Sequence, residues 1–293
     1  MGRIEAGPYD NVGVGTILFT LVEPHRGEEV AYNRWYERDH LYAGCMIGKG
    51  WFAGRRWVAT RDLKDLRFPT DTGFLPDIDA GSYLATYWVE KGEDGPAIAW
   101  GSEQVKWLHE NDRMYEGRDH IHTLMYVHRW AYGREDDGVP PALALDHPFK
   151  GLVAVMVDRA PDSSLDARSF SGWLRDEMIP AAVADSAIAL VIATTPIPLP
   201  EGAPVFQPDN PGQDRRTLLL CFLDQDPREA WADVHALADA VAAGGHGSVS
   251  YAAPFVPTIP GTDTYADELW GDERPIEEVR AEAAAAATAG GAS

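Results

Sequence analysis

Short apolar runs with the two-residue spacing of strands alternate along this chain with longer segments whose apolar positions fall three or four apart. VGTILFTLVEP predicts a strand from Val14, and a helix follows over residues 27–44. WFAGRRWVATRD predicts a second strand, SYLATYWVEKG a third, GPAIAWGSEQVKWLHEND a helix and HTLMYVHRWAY a fourth strand. The order is βαββαβ, and it recurs. GLVAVMVDRA, IALVIATTPIP, RRTLLLCFLDQ and GSVSYAAPF read as strands, with DARSFSGWLRDEMIPAAVA and DPREAWADVHALADAVAAG as helices in the same places. Asp226-Pro227 predicts a helix start, a capping carboxylate ahead of a proline at the first helical position. Gly244-Gly245 predicts its stop. Two Pro/Gly/Asp-rich loops, FPTDTGFLPDIDAG and LPEGAPVFQPDNPGQD, occupy matching positions in the two orders.

One such unit is the ferredoxin-like, split βαβ motif, whose antiparallel sheet carries helices on one face only. The bare face has to be covered, and the second unit can cover it. The expected class is therefore α+β: two tandem ferredoxin-like βαββαβ repeats, with antiparallel sheets packed face to face as an intramolecular barrel and helices outside. The expected domains are repeat 1 over residues 1–135, a linker over 136–149, repeat 2 over 150–256 and an acidic, Ala-rich arm over 257–293. The first helices of the repeats align from Trp35 on Trp173, which puts His40 on Met178 and Tyr36 on Leu174.

Composition narrows the partners. A formal net charge of −21 and a pI near 4.7 argue against nucleic acid or an anionic membrane surface as partner. No segment approaches the roughly 20 apolar residues of a membrane span. The first residues lack the basic-then-apolar pattern of a signal peptide, so a cytoplasmic location is expected. Cys45 and Cys221 stand alone, which argues against a disulfide framework or a thiolate zinc site. No glycine-rich dinucleotide motif links a strand to a helix.

YNRWYERDHL followed by GWFAGRRWVA resembles the dimeric α+β barrel superfamily and, within it, the EthD-like group. The likeness is specific over residues 13–60 and fades to a pattern of elements beyond. Ordinary members build the barrel by dimerising; this chain looks like a fused pair. The resemblance implies cofactor-free monooxygenases, muconolactone-type isomerases, polyketide cyclases or EthD-like proteins, with more distant relatives binding haem. It also implies a cavity between the sheets with His40 at its mouth. Met178 departs from the pattern and puts a symmetric pair of sites in doubt.

Strand alternation sorts the remaining candidates. His120, His122, Leu124, Tyr126, His128 and Trp130 share one face of their strand, while Arg56 shares a face with Phe52 and Gly54. Histidine can act as general acid or base near neutrality, and arginine can hold a developing oxyanion. The expected catalytic set is His40, Tyr126, His128 and Arg56, with Tyr36, Trp88, Trp130, Thr86 and Phe52 lining the substrate. Competing readings are structural: His40 finishing its helix, Tyr126 and His128 satisfied in the core, Arg56 paired with an acid, Asp158 a solvated strand end. His120-x-His122 with His128 could also be read as metal ligands, though no carboxylate at ligand spacing completes them. Of the ten tryptophans, seven fall in repeat 1, so the reactive groups are assigned there and an apolar wall to repeat 2.

The expected function is cofactor-independent lyase, isomerase or cyclase chemistry on a hydrophobic aromatic or polycyclic molecule, with no metal and no cofactor. Two rivals keep the fold: a cofactor-free monooxygenase using dioxygen, and a non-catalytic binding barrel. A barrel closed within one chain predicts a monomer, with a homodimer through helices or tail as the alternative.

Overall fold

The computed structural model describes residues 11–71, 74, 75, 77–198 and 211–271. The first ten residues, the middle of the second Pro/Gly/Asp loop and the Ala-rich end of the arm lie outside the described residues.

Eight strands form one closed antiparallel barrel. They are β1 (Val14–Pro24), β2 (Trp51–Val58), β3 (Tyr83–Glu90), β4 (Arg118–Gly133), β5 (Gly151–Arg159), β6 (Ile188–Pro196), β7 (Arg216–Leu223) and β8 (Gly247–Pro257). Around the barrel the order is β1-β3-β2-β8-β5-β7-β6-β4. Each half thus has the same internal order, β4-β1-β3-β2 and β8-β5-β7-β6. The inner faces of the two sheets oppose each other, and their edges join at two seams. The β4–β6 seam is long, running from Tyr126↔Pro196 to Gly133↔Leu190. The β2–β8 seam holds only Trp57↔Pro257 and Val58↔Val256. Beyond it Phe68 exchanges both backbone hydrogen bonds with Ala252, so the segment after α2 (Arg61–Lys64) covers the rest of the β8 edge. An unpaired strand edge would template association with other chains, and closure removes it.

Helices lie outside. In the first half α1 (Glu29–Trp35) runs on through two π-helical stretches, Tyr36–His40 and Tyr42–Met46, and α3 (Asp94–Glu110) packs beside it. In the second half α4 (Ala167–Trp173) continues through a π-helical Leu174–Met178 into α5 (Ile179–Val183), with α6 (Trp231–Ala243) alongside. The helix predicted from Asp226 begins five residues later. Asp226 instead closes a turn, accepting from Arg228 N through its side chain and from Glu229 N and Ala230 N through its carbonyl. Gly244 caps α6 as expected.

The inside of the barrel is packed with side chains. Phe19, Trp57, Trp88, Tyr126, Phe222, Tyr251 and Phe255 are all buried there. Trp57 and Phe222 meet across it with ring centres 6.0 Å apart. Each such ring removes about 150–250 Å² from water. The segment between the halves closes one end. Arg55 donates from Nη1 to Leu145 O at 3.0 Å and His147 O at 2.6 Å, Trp88 Nε1 donates to Pro141 O at 2.9 Å, and Phe149 packs on Phe222 at 5.2 Å. Phe74 lies at the other end, against His122 and Tyr251.

The chain after β8 returns to α1. Asn33 Nδ2 donates to Thr262 O, Arg34 pairs with Asp263, and Trp270 Nε1 donates to Glu29 Oε1 at 2.6 Å. Leu269 is fully buried by this return.

Arg55→Met removes two charge-assisted hydrogen bonds that hold the closing segment. It is expected to lower unfolding free energy by about 2 kcal/mol in urea titrations and to speed amide exchange over residues 143–149.

Candidate functional site

The candidates divide between the two faces of the first sheet. Register sets the division. Arg56 pairs with Ala85, and Gly54 with Tyr87, on the outer face; Thr86 and Trp88 alternate to the inside. Tyr126 pairs with Ile17 and Leu124 with Phe19, both inside. The expected single cavity shared by His40, Arg56, Tyr126 and His128 is therefore corrected: the sheet runs between the first two residues and the last two. Trp130 is in a third place. A register shift between His128 and Trp130 turns it onto the outer layer of the second half, where Nε1 donates to Ser171 Oγ at 2.9 Å. Phe52 is half-buried in a β2 irregularity between Trp51 and Ala53.

The outer cluster is built on the π-helical turn. His40 does not end the helix; helical structure continues to Met46. Residues five apart are rotated by about 140° in an α-helix, and i→i+5 bonding turns them toward one side. The His40 ring accordingly stacks on Trp35, with centres 4.4 Å apart and planes 20° apart, and meets Tyr36 edge-on at 5.2 Å. Gly44 leaves room for it: a Cβ there would lie 3.0 Å from His40 Cε1. Asp39 turns away to pair with Arg113, in keeping with its adjacent position.

Arg56 enters this cluster from the sheet. Its Nη1 donates to Asn33 Oδ1 at 2.6 Å and to Glu37 Oε1 at 3.3 Å. Its guanidinium carbon lies 4.5 Å from the ring centre of Tyr36, 4.9 Å from Tyr83 and 5.6 Å from Tyr32. Tyr87 donates to the Tyr36 hydroxyl at 2.9 Å. Three polar atoms here are buried without a hydrogen-bond partner: His40 Nδ1, Arg56 Nη2 and the Tyr83 hydroxyl. Orphaned buried groups are uncommon because each costs about 1–3 kcal/mol, and three at one cluster mark a place where a ligand could satisfy them.

Burial sets the protonation states. It lowers the His40 pKa to about 3, helped by Arg118 and His120, so the imidazole is neutral across the physiological range. Burial raises Tyr36, Tyr83 and Tyr87 above the usual phenol value, with Arg56 opposing it. The tyrosines are therefore proton donors, Arg56 is the cation, and His40 offers a neutral ring nitrogen.

The inner candidates have different partners. Tyr126 hydroxyl and His122 Nε2 share a 2.6 Å hydrogen bond. Thr86 Oγ1 accepts from Trp57 Nε1 at 3.1 Å. Asp158 is no solvated strand end: it takes Arg216 in a bidentate pair, Nε to Oδ1 and Nη2 to Oδ2, each 2.7 Å. Arg216 also lies 4.8 Å above the Phe74 ring. The His120/His122 metal reading is corrected by a register shift between Leu21 and Val22, which pairs His122 with Leu21 inside and His120 with Val22 outside. Among the described residues no three His, Cys, Asp or Glu side chains converge as metal ligands would. His128 sits at the rim of the barrel with its Nε2 buried and unpartnered.

Residue-by-residue reading of the sequence left Tyr83, Tyr87 and Arg216 out of the expected site and gave His122 only as a possible metal ligand. The tyrosines were within reach, because they flank Ala85 on the face that register gives to Arg56. Arg216 carried no signal, since only barrel closure brings it to Asp158.

No protein-family model and no curated protein matches the sequence. Among solved structures the chain is similar to a proposed chlorite dismutase, at 9% identity over 86% of this chain and 96% of that one, with a TM-score of 0.49. It is similar to a proposed monooxygenase of Fusobacterium nucleatum at 11% identity over 84% and 93% of the two chains, with a TM-score of 0.47. An encapsulated DyP-type peroxidase of Mycobacterium smegmatis matches at 11% identity over 94% of this chain and 100% of its own, with a TM-score of 0.44. Similarities this remote say nothing about which reaction the chain performs. Among the described residues no helix is long and apolar enough to cross a membrane.

Four histidines carry lowered values, all chiefly through burial: His40 and His122 at about 3, His120 and His128 at about 4. Unfolding returns them to the ordinary value of 6.5, so between these limits the unfolded chain binds more protons than the folded one. Their contribution to stability is complete above about pH 6.5 and is lost as pH falls toward 3–4. Each is expected to steepen acid destabilisation by about 1.4 kcal/mol per pH unit. His122→Phe should reduce the slope by about one proton in urea titrations between pH 4.5 and 6.5.

Proposed function

We propose that the chain is a cofactor-independent enzyme that moves a proton on a hydrophobic, aromatic or polycyclic small molecule at the outer cluster around His40. The observation that carries the reading is the trio of unpartnered buried atoms, His40 Nδ1, Arg56 Nη2 and the Tyr83 hydroxyl, set among Trp35, Tyr36 and Tyr87. The flat aromatic surround suits a planar ring system. The polar atoms supply a base, a fixed cation and neutral donors.

In this scheme the neutral His40 imidazole takes a proton from a carbon beside a carbonyl, or from a phenol. The electron pair left behind moves onto oxygen. Arg56 and the tyrosine hydroxyls hold that oxyanion, which in turn stabilises the new imidazolium by its charge. His40 then returns the proton at another carbon, giving an isomerisation; or the enolate carbon bonds to a second carbonyl carbon of the same molecule and the imidazolium protonates the oxygen so formed, giving a cyclisation; or the electron pair expels a leaving group, which takes the proton from His40, giving a lyase. Tyr36 faces both His40 and Arg56 and orients the ring between them. Assignment to the EthD-like group, read from residues 13–60, belongs to the same proposal, as does a cytoplasmic setting. Tyr126 and His128 have no direct part in this step.

The test is hydrogen–deuterium exchange at activated carbons of polycyclic ketones and naphthols, followed by NMR in D2O with the purified protein. His40→Gln and Arg56→Met are each expected to slow exchange at least about a hundredfold while leaving the circular dichroism unchanged. Oxygen uptake stoichiometric with substrate loss would replace this reading by the monooxygenase. Tight binding without exchange, unaltered in His40→Gln, would replace it by the binding barrel.

The pH dependence is a separate prediction. The profile of kcat/KM reports free-enzyme groups. Its acid limb is expected near the His40 value of about 3, instead of near 6.5, provided the protein is kept folded by stopped-flow pH jumps.

A further inference from the structure

A cavity lies on the first half's end of the barrel, away from the His40 cluster. Its volume is about 480 Å³, within the range of small-molecule sites. The start of β1 contributes Val12 to Gly15, the β3–α3 turn Lys91 and Asp94, β4 Val127 to Arg129, and the closing segment Pro140 to Ala142. Pro141 is the residue whose carbonyl accepts from Trp88 Nε1, so the cavity floor is tied to the barrel core.

Its lining carries two exposed cations, Lys91 and Arg129, and one acid, Asp94. In a protein of net charge −21, basic side chains have many acids to choose from. Lys91 and Arg129 nevertheless form no ion pair among the described residues; Arg129 Nε donates to the neutral Thr195 Oγ1 at 2.7 Å. Two polar atoms at the cavity are buried with no hydrogen-bond partner, His128 Nε2 and Asp94 Oδ1. The other Asp94 oxygen accepts from Gly92 N at 3.2 Å. Gly15 is what permits the approach of Asp94, since a Cβ there would lie 2.4 Å from Oδ1.

We propose that this cavity binds a small hydroxylated carboxylic acid with an apolar body. Lys91 and Arg129 take the carboxylate, as a point charge and a fork. His128 Nε2 hydrogen-bonds to it, and Asp94 Oδ1 accepts from the hydroxyl. Val12, Val14, Val127, Pro140 and Pro141 contact the body. One acid against two cations leaves the cavity net positive, which selects the acid over its neutral analogues. The site is separate from the His40 cluster and does not depend on the reaction proposed there.

The probe is 4-hydroxybenzoate, with the neutral 4-hydroxybenzamide as control, titrated into the full chain labelled with 15N at histidine rings. The acid is expected to shift the His128 resonances saturably and to leave those of His40 in place. The amide, and the acid with the Lys91→Met/Arg129→Met protein, are each expected to bind about tenfold more weakly or worse, the loss of charge-assisted contacts. His128→Gln should weaken binding as measured by calorimetry, an independent readout. Absence of a saturable His128 shift up to about 10 mM acid, equal binding of acid and amide, or an unchanged affinity in the double variant would overturn the proposal. Thermal melts of each variant confirm that the protein compared is folded.

Discussion

Everything in this molecule hangs on the closed ladder of eight paired strands. Once the ladder closes, every side chain of every strand is committed to the inside or the outside, and no residue can serve both. Trp57, Trp88 and Phe222 go inside and fill the space. Arg56, Tyr83 and Tyr87 go outside and wait for a helix to cover them. The ladder also has a weak place, the two-residue seam between β2 and β8. The chain repairs it with its own connections: the strand-like Phe68 bridge on one side, the Arg55-anchored segment after Pro141 on the other, and the return of residues 258–271 over α1.

The helix layer answers the sheet with a shared irregularity. Both first helices widen into π-helical geometry immediately after a tryptophan, at Tyr36–His40 and at Leu174–Met178. Such widenings cost helix stability and persist where they place side chains usefully. In the second half the widened turn presents Leu174 and Met178 to an apolar layer of Val155, Val191 and Leu219. In the first half the same turn presents Tyr36 and His40 to Arg56 and the tyrosines. Common geometry with different chemistry accounts for one half carrying the polar groups while the other is sealed.

Burial decides how those groups behave. The histidines are neutral because taking charge into the protein costs more than water would ask, and the tyrosines hold their protons for the same reason. Arg56 remains charged, with Glu37 and the tyrosine faces around it, and Arg118 is a second cation over Trp35. In the proposed reaction an anion forming there meets the cation, the hydroxyl donors and an imidazole that has taken up the proton, all of which favour the same oxygen.

Much of this was legible in the chain itself. Spacing of apolar residues was enough for the order of strands and helices, because burying one face of a strand or helix imposes its period locally. Overlaying Trp35 on Trp173 was enough for the repeat, and it matched the two π-helical turns that follow those tryptophans. What failed were judgements of face across the sheet. Two β4 register shifts moved His120 and Trp130 to faces that strict alternation denied them, and a bulge is set by the partner strands, not by the strand that carries it. Likewise Asp158 looked exposed until β7 brought Arg216 beside it. Local sequence determined which elements form and which residues share a helix turn, since those depend on neighbours a few positions away. Only the tertiary structure decided which side of the sheet each reactive group faces and what it meets there, since that depends on pairings more than fifty residues apart.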